Sequence, residues 1–223
     1  MCNLYSNTTA QEAMRQLFKV APGNDLLGNA EPLTAIWPKY QGHVVRLNPD
    51  GVNELVSLSW GFRTTNTSKK TGKTLQPSAW NNARDDKLLT SGLWKGSFQE
   101  RRCLIPATSF CEAKGRNPAT YHWFGLTGDE PRPAFAFAGL WTVSHFEGPD
   151  GKEECACYTM ITTRSNELVK PIHPDRMPAM LAPKDYAQWM NGTASEAHEL
   201  LRPYPADAMQ VLKSGETEKS DAV

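Results

Sequence analysis

Four residues in this chain could do chemistry together, and the first stands at its second position. If Met1 is removed, as is usual ahead of a small residue, Cys2 presents an α-amine and a thiol on adjacent carbons, a 1,2-aminothiol. An α-amine titrates near roughly 7.7–8.0, so about a tenth to a sixth of it is free base at pH 7, far more than of a lysine. Such an amine attacks an aldehyde to give a Schiff base, and the neighbouring thiol can then close a five-membered thiazolidine on the imine carbon. The other three are Glu112, after Phe110-Cys111 in a strand-like run, His173 in Pro171-Ile172-His173-Pro174, and Asn82 in Trp80-Asn81-Asn82-Ala83-Arg84. A glutamate and a histidine can cycle protons near neutral pH where burial raises the carboxyl. Arg84 offers a planar fork suited to phosphate. Each residue also has an ordinary reading: a cysteine set by the start codon, a carboxylate on the wet face of a strand, a histidine bonded to a loop carbonyl, an asparagine in a turn.

The elements that must position these residues are short. Asn3-Leu4-Tyr5-Ser6 can pair as a strand and carry Cys2 inward, and a helix follows from Thr9, where Thr9 and Glu12 form a capping box. His43 to Leu47 and Leu55 to Phe62 read as a hairpin around Asn48-Pro49-Asp50-Gly51. Thr64 to Ser78 is polar, carries Lys69, Lys70 and Lys73, and reads as a long loop. A helix is expected after Arg84 through Leu89. An apolar block from Arg102 to Pro106 leads into a strand expected at Ser109 to Ala113, and further strands are expected at Thr120 to Leu126, Ala134 to Val143 and Cys155 to Thr163. A helix begins near Pro183 and stops at Asn191-Gly192, and a shorter one covers Glu196 to Leu201. Strands joined by turns with few helices between them predict an α+β single domain, a mainly antiparallel sheet curling toward a barrel, over residues 1–213. Residues 214–223 are charged and small and read as a disordered tail.

With 223 residues and 24.8 kDa the chain fits one domain with a full core. Its 24 basic and 24 acidic residues balance, so a polyanion would bind only at a local patch. Five cysteines without paired spacing indicate a reducing, cytoplasmic setting rather than a disulfide framework. No signal sequence and no apolar run of the ~18–20 residues that cross a bilayer is present, so no membrane partner is expected.

Four pieces in this order resemble the SRAP family, the abasic-site processing proteins also called SOS response-associated peptidases. They are Met1-Cys2, Asn82-Ala83-Arg84, Glu112 on a strand after Arg102-Cys103-Leu104-Ile105-Pro106, and Ile172-His173 leading to Arg176-Met177-Pro178. Trp60-Gly61 is similar as well. The resemblance implies that Cys2 forms a thiazolidine with the ring-opened sugar of an abasic site in single-stranded DNA. It implies that Asn82 bonds near the Cys2 amine and the sugar, that Glu112 shuttles the proton that opens the hemiacetal, and that His173 handles protons in imine formation and reversal. Arg84 and Arg176 would hold phosphates, with Arg63 and Arg116 as further cations, and Trp60 or Trp80 would stack on a base. Such a protein would work as a monomer without cofactor or metal. Where many members begin Cys-Gly-Arg-Phe, this chain reads Cys2-Asn3-Leu4-Tyr5.

A second reading makes Cys2 the N-terminal nucleophile of a peptidase, with its own amine or His173 as base and Met1 lost by autoproteolysis; no oxyanion motif accompanies it. A third, a zinc-stabilised binding module, rests on Cys155-Ala156-Cys157 with Cys103 and Cys111, and lacks any Cys-x-x-Cys pair.

Overall fold

The computed structural model describes residues 2–130 and 132–222. The first half of the chain contributes β1 (Leu4–Asn7), α1 (Gln11–Leu17), β2 (Leu33–Ile36), β3 (Gln41–Leu47), β4 (Asn53–Trp60), β5 (Phe62–Thr67), β6 (Thr74–Trp80), β7 (Asn82–Arg84) and α2 (Lys95–Glu100). The second half contributes β8 (Arg102–Ala107), β9 (Ser109–Lys114), β10 (Thr120–Leu126), β11 (Phe135–Gly148), β12 (Gly151–Arg164), β13 (Arg176–Pro178), β14 (Met180–Leu181), α3 (Tyr186–Asn191), α4 (Ala194–Glu199) and β15 (Met209–Gly215).

Five of these strands close on themselves. β12 pairs with β4, β4 with β3, β3 with β8, β8 with β11, and β11 returns to β12, so the ring has no free edge. A second sheet runs β15-β10-β9-β1-β2. Between them lies one apolar cluster that takes Tyr5, Phe110 and Phe124 from the open sheet and Val44, Trp60, Ile105, Phe137 and Tyr158 from the barrel. Tyr5 meets both Trp60 and Phe137 edge-on, the arrangement favoured by ring quadrupoles, at centroid distances of 5.1 and 5.8 Å. The Tyr5 and Tyr158 hydroxyls bond to each other inside this cluster, which satisfies two polar groups that burial would otherwise leave costly. Gly42 leaves room for them: a Cβ at that position would lie 2.1 Å from the Tyr158 hydroxyl and 2.5 Å from that of Tyr5. β1 is therefore fixed at its second residue, three positions from the thiol.

The mainly antiparallel, curled α+β architecture agrees with the sequence reading, and several local expectations do not. The polar stretch after Thr64 is not a loop. It is the antiparallel hairpin β5–β6, because Thr, Asn and Ser alternate there without an apolar face, a pattern that hides a strand. After Arg84 only a 3-10 turn forms over Asp85–Lys87, and the helix comes later, at Lys95–Glu100. Helix α1 starts after Ala10 without a side-chain cap, so the Thr9 and Glu12 box does not form; the box that does form is Thr193 with Glu196 at α4. The tail is not loose. β15 runs to Gly215, and Asp221 is fully buried, accepting from Ser109 Oγ at 2.6 Å and from Arg132 at 2.9 and 3.0 Å. Among the described residues no helix is long and apolar enough to cross a membrane.

Candidate active site

The register of β1 on β9 pairs Leu4 with Cys111 and Tyr5 with Phe110. One step further along the same ladder, the chain start arrives beside Glu112. Cys2 is completely buried, and its Sγ lies 3.3 Å from the Leu4 carbonyl and 3.8 Å from that of Cys111. Burial pushes the Cys2 thiol well above its ordinary pKa, and the nearby Glu112 charge adds to this. Glu112, only 3% exposed, is itself pushed up to about 7 by burial. Met1 and its removal lie outside the described residues.

The Cys2 carbonyl is gripped from the opposite side. Asn82 Nδ2 donates to it at 2.7 Å, and Asn81 Nδ2 donates at 3.2 Å while also reaching Asn3 Oδ1 at 2.9 Å. Two elements hold these amides still. β7 lies parallel to β12 with Asn82 opposite Met160, and the Asn81 carbonyl accepts from the Trp60 indole at 2.8 Å and from the Met160 amide at 3.1 Å. Asn82 Oδ1 is buried and has no hydrogen-bond partner among the described residues, so an acceptor stands ready next to Cys2.

His173 sits in the segment between β12 and β13, whose Val169 and Ile172 pack into the same apolar cluster as Cys2. Its Nδ1 accepts from the Arg176 amide at 3.2 Å, which leaves the proton of the neutral ring on Nε2. Burial lowers its pKa, so the ring is neutral at pH 7.

The cations separate into two kinds. Arg84, two residues along β7 from Asn82, is half-exposed and among the described residues pairs only with the half-exposed Asp86. Arg116 is exposed in the turn between β9 and β10. Arg176 is committed instead to the fold: its guanidinium bonds Asp85 Oδ1 at 2.7 Å and the Thr162 carbonyl, and 12% of its side chain is exposed. Arg63 spends one nitrogen on Ser59 Oγ at 2.8 Å. Trp60 is fully buried between Tyr5 and Tyr158 and cannot stack on a base; its contribution to the site is the bond to Asn81. The exposed indole is Trp80, 49% accessible, one residue before Asn81. Asn81 is the site residue that sequence reasoning passed over, although its place beside Asn82 was visible.

The five cysteines are all free, with Cys155 and Cys157 together on β12, and no group of three metal-ligating side chains occurs among the described residues.

The abasic site processing protein YoqW of Bacillus subtilis is 35% identical over 135 residues, 59% of this chain and 58% of that protein, so the match spans less than two thirds of YoqW. YoaM of the same organism, also named an abasic site processing protein, is 30% identical over 190 residues, 83% of this chain and 79% of its own length. The abasic site processing protein HMCES of Xenopus tropicalis is 32% identical over 148 residues, covering 57% of this chain and 42% of HMCES. A crystal structure of a Bordetella bronchiseptica protein superposes with a TM-score of 0.70 at 24% identity, over 94% of this chain and 98% of that one, and shows the shared fold. The model of the family described as SOS response associated peptidase (SRAP) matches residues 1–216, and the chain belongs to that family.

Proposed function

We propose that this protein processes abasic sites in single-stranded DNA by joining Cys2, freed of Met1, to the opened sugar as a thiazolidine. The observation that carries this reading is the convergence on Cys2 of the Asn81 and Asn82 amides and the buried Glu112 carboxyl. In the proposed reaction the α-amine attacks the C1′ aldehyde, water leaves to give the imine, and the thiol S–H adds across the C=N bond. One water is lost overall.

Each residue takes a role its surroundings favour. Glu112, titrating near 7, both gives and takes a proton at physiological pH, as opening the hemiacetal and dehydrating the carbinolamine require. Asn82 Oδ1 accepts from the amine or the sugar hydroxyl, while its Nδ2 and that of Asn81 hold the Cys2 backbone. His173 offers Nε2 as a donor during imine formation and reversal. Arg84 and Arg116, the exposed cations, take flanking phosphates, and Trp80 stacks on a neighbouring base. The same amine chemistry gives reversal through the imine and some β-elimination of the strand. A thiol held in its protonated form beside a carboxyl is poorly suited to act as the thiolate nucleophile of a peptidase.

The test is a denaturing gel of protein with a verified Cys2 amino terminus, mixed with a strand carrying one abasic site. A shifted band that is absent with intact DNA and lost in Cys2→Ser supports the reading. Protein with a free Cys2 that gives no band refutes it.

A further inference from the structure

The chain from Trp60 to Arg84 holds five cations, Arg63, Lys69, Lys70, Lys73 and Arg84, and no carboxylate, in a molecule whose charges balance overall. Most of this stretch is the β5–β6 hairpin, a two-stranded arm that joins neither of the larger sheets. Its root is anchored. Gly61, at a φ of +114° that favours glycine, donates to the Tyr158 carbonyl at 2.7 Å, and the Arg63 amide donates to Ser144 Oγ at 3.1 Å. The Trp80 indole closes the root by donating to Thr64 Oγ1 at 2.9 Å.

The tip is a folded turn as well. Ser68 N donates to the Lys73 carbonyl at 2.9 Å, Gly72 N to the Ser68 carbonyl at 2.8 Å, and Thr71 N to Ser68 Oγ at 3.2 Å. This turn presents Lys69, Lys70 and Lys73 to solvent, and none of the three has an ion-pair partner among the described residues. Charges balanced only by mobile counterions are the kind that a polyanion displaces with a gain in entropy. On one flank the arm meets the hairpin that joins β11 and β12, where Thr65 Oγ1 accepts from the Glu147 amide. That hairpin carries Glu147, Asp150, Glu153 and Glu154 against Lys152, so it repels a phosphate chain and leaves the arm's opposite side open to one.

Strand β6 runs from the basic turn directly into Asn81 and Asn82. The eight residue steps from Thr74 to Asn82 span about 26 Å at about 3.3 Å per residue, more than three nucleotides of a single strand cover even when stretched to about twice the 3.4 Å stacked step.

We propose that the β5–β6 arm is a second, sequence-independent contact for the nucleic-acid backbone flanking the reacting nucleotide, so that the protein selects long single strands over short ones. The proposal rests on the abasic-site reading and adds to it a surface that the thiazolidine chemistry does not need. Three lysines on single-strand phosphates set a salt slope about 2 steeper, from about 0.7 per contact, and about 10- to 100-fold tighter binding at 0.1 M salt.

The experiment compares the Cys2→Ser protein, which lacks the thiol that closes the thiazolidine, with the same protein carrying Lys69→Gln, Lys70→Gln and Lys73→Gln. Fluorescence anisotropy is read on a 30-nucleotide and a 6-nucleotide strand, each with and without a central abasic site, between 50 and 200 mM salt. On the 30-mer the triple variant should lose about 10- to 100-fold at 0.1 M salt and about 2 in salt slope, and on the 6-mer the two proteins should agree, since three flanking nucleotides do not reach the turn. Lys→Arg at the same three positions should restore the affinity. Equal affinities and slopes on the 30-mer overturn the proposal, as does an equal loss on both strands. Crosslinking by protein with Cys2 intact is scored separately on a gel. A missing crosslink with a surviving arm effect refutes the abasic-site reading and leaves the arm as a nucleic-acid contact; a normal crosslink without an arm effect refutes the arm alone.

Discussion

Replacing Glu112 with Gln should make the protein more stable at high pH and slower at its proposed reaction. The carboxyl is 3% exposed, and burial raises it from an ordinary 4.5 to about 7. At 1.36 kcal/mol per pKa unit, that displacement corresponds to about 3 kcal/mol. A raised carboxyl contributes stability that is fully present below its unfolded pKa and is lost as the pH climbs through the folded value, here from about 4.5 to about 7. Glutamine has nearly the same shape and does not titrate. The melting-temperature difference, Glu112→Gln minus unsubstituted protein, should therefore widen between pH 5 and pH 8. For a chain of this length about 3 kcal/mol is worth roughly 6–12 °C. Thermal melts followed by tryptophan fluorescence at pH 5, 6, 7 and 8 measure it directly. The crosslinking rate at pH 7 should fall by about 10²–10⁴, the usual worth of a positioned acid or base. A melting-temperature difference that stays flat with pH would show that Glu112 is not held as a raised, buried carboxyl. An undiminished crosslinking rate would remove it from the mechanism.

Asn82→Ala deletes the 2.7 Å bond to the Cys2 carbonyl and leaves the longer bond from Asn81 there; at about 1–3 kcal/mol for the lost bond, crosslinking should slow by roughly 5- to 150-fold in single-turnover gels. Gly42→Ala places a methyl 2.1 Å from the Tyr158 hydroxyl and should destabilise the fold by about 1–3 kcal/mol in urea titrations, with slower crosslinking because β1 shifts. Asp221→Asn should cost about 3 kcal/mol at pH 7, since it breaks the ion pair to Arg132. Burial opposes the charge on Asp221, but the bonds from Arg132 and Ser109 outweigh it and hold the pKa below 3.8. That contribution is present above about pH 4 and is lost as the pH falls through the lowered folded value, so the gap between the two proteins should shrink as melts are taken at decreasing acid pH.

The strands that a sequence shows best are those with an apolar face. Residues 120–126 were legible to the residue, and β11 and β12 were legible in their apolar halves but not in their polar extension around Gly148–Gly151. The arm was missed for the same reason: Thr64 to Ser78 gains its strand form from pairing with itself and from Ser144 and Glu147 beside it, neither of which leaves a local period. The C-terminal segment looked disordered because its composition is polar, yet one buried carboxylate with an arginine on it ties the segment down. In the site, the order of motifs that carries the family resemblance pointed to Cys2, Asn82 and Glu112, which the fold brings together. It could not separate Arg84 from Arg176, because the difference lies in Asp85 and Thr162, partners supplied by distant strands. Trp60 and Trp80 were likewise indistinguishable by type, and burial alone decides that one positions Asn81 while the other faces solvent.

A single physical cause, removal of water from the end of β1, acts on two groups of the proposed reaction, Glu112 and the Cys2 thiol. Desolvation disfavours charge, so it raises Glu112 into the range where it can carry a proton at pH 7. The same cause works against the thiol, which it holds in the protonated form. The order of steps in the proposed reaction resolves the conflict. The amine meets the aldehyde first, as an encounter between two molecules, and needs its lone pair free. The thiol acts second, on an imine carbon four bonds away through Cβ, Cα and N, where effective molarities of about 10⁵ M or more compensate for a small thiolate fraction. Glu112, close enough for its charge to be felt at Cys2 Sγ, can take the S–H proton as the ring closes. A cysteine that had to attack in its first step would need the opposite environment, with cations where this fold places a carboxyl and two amides.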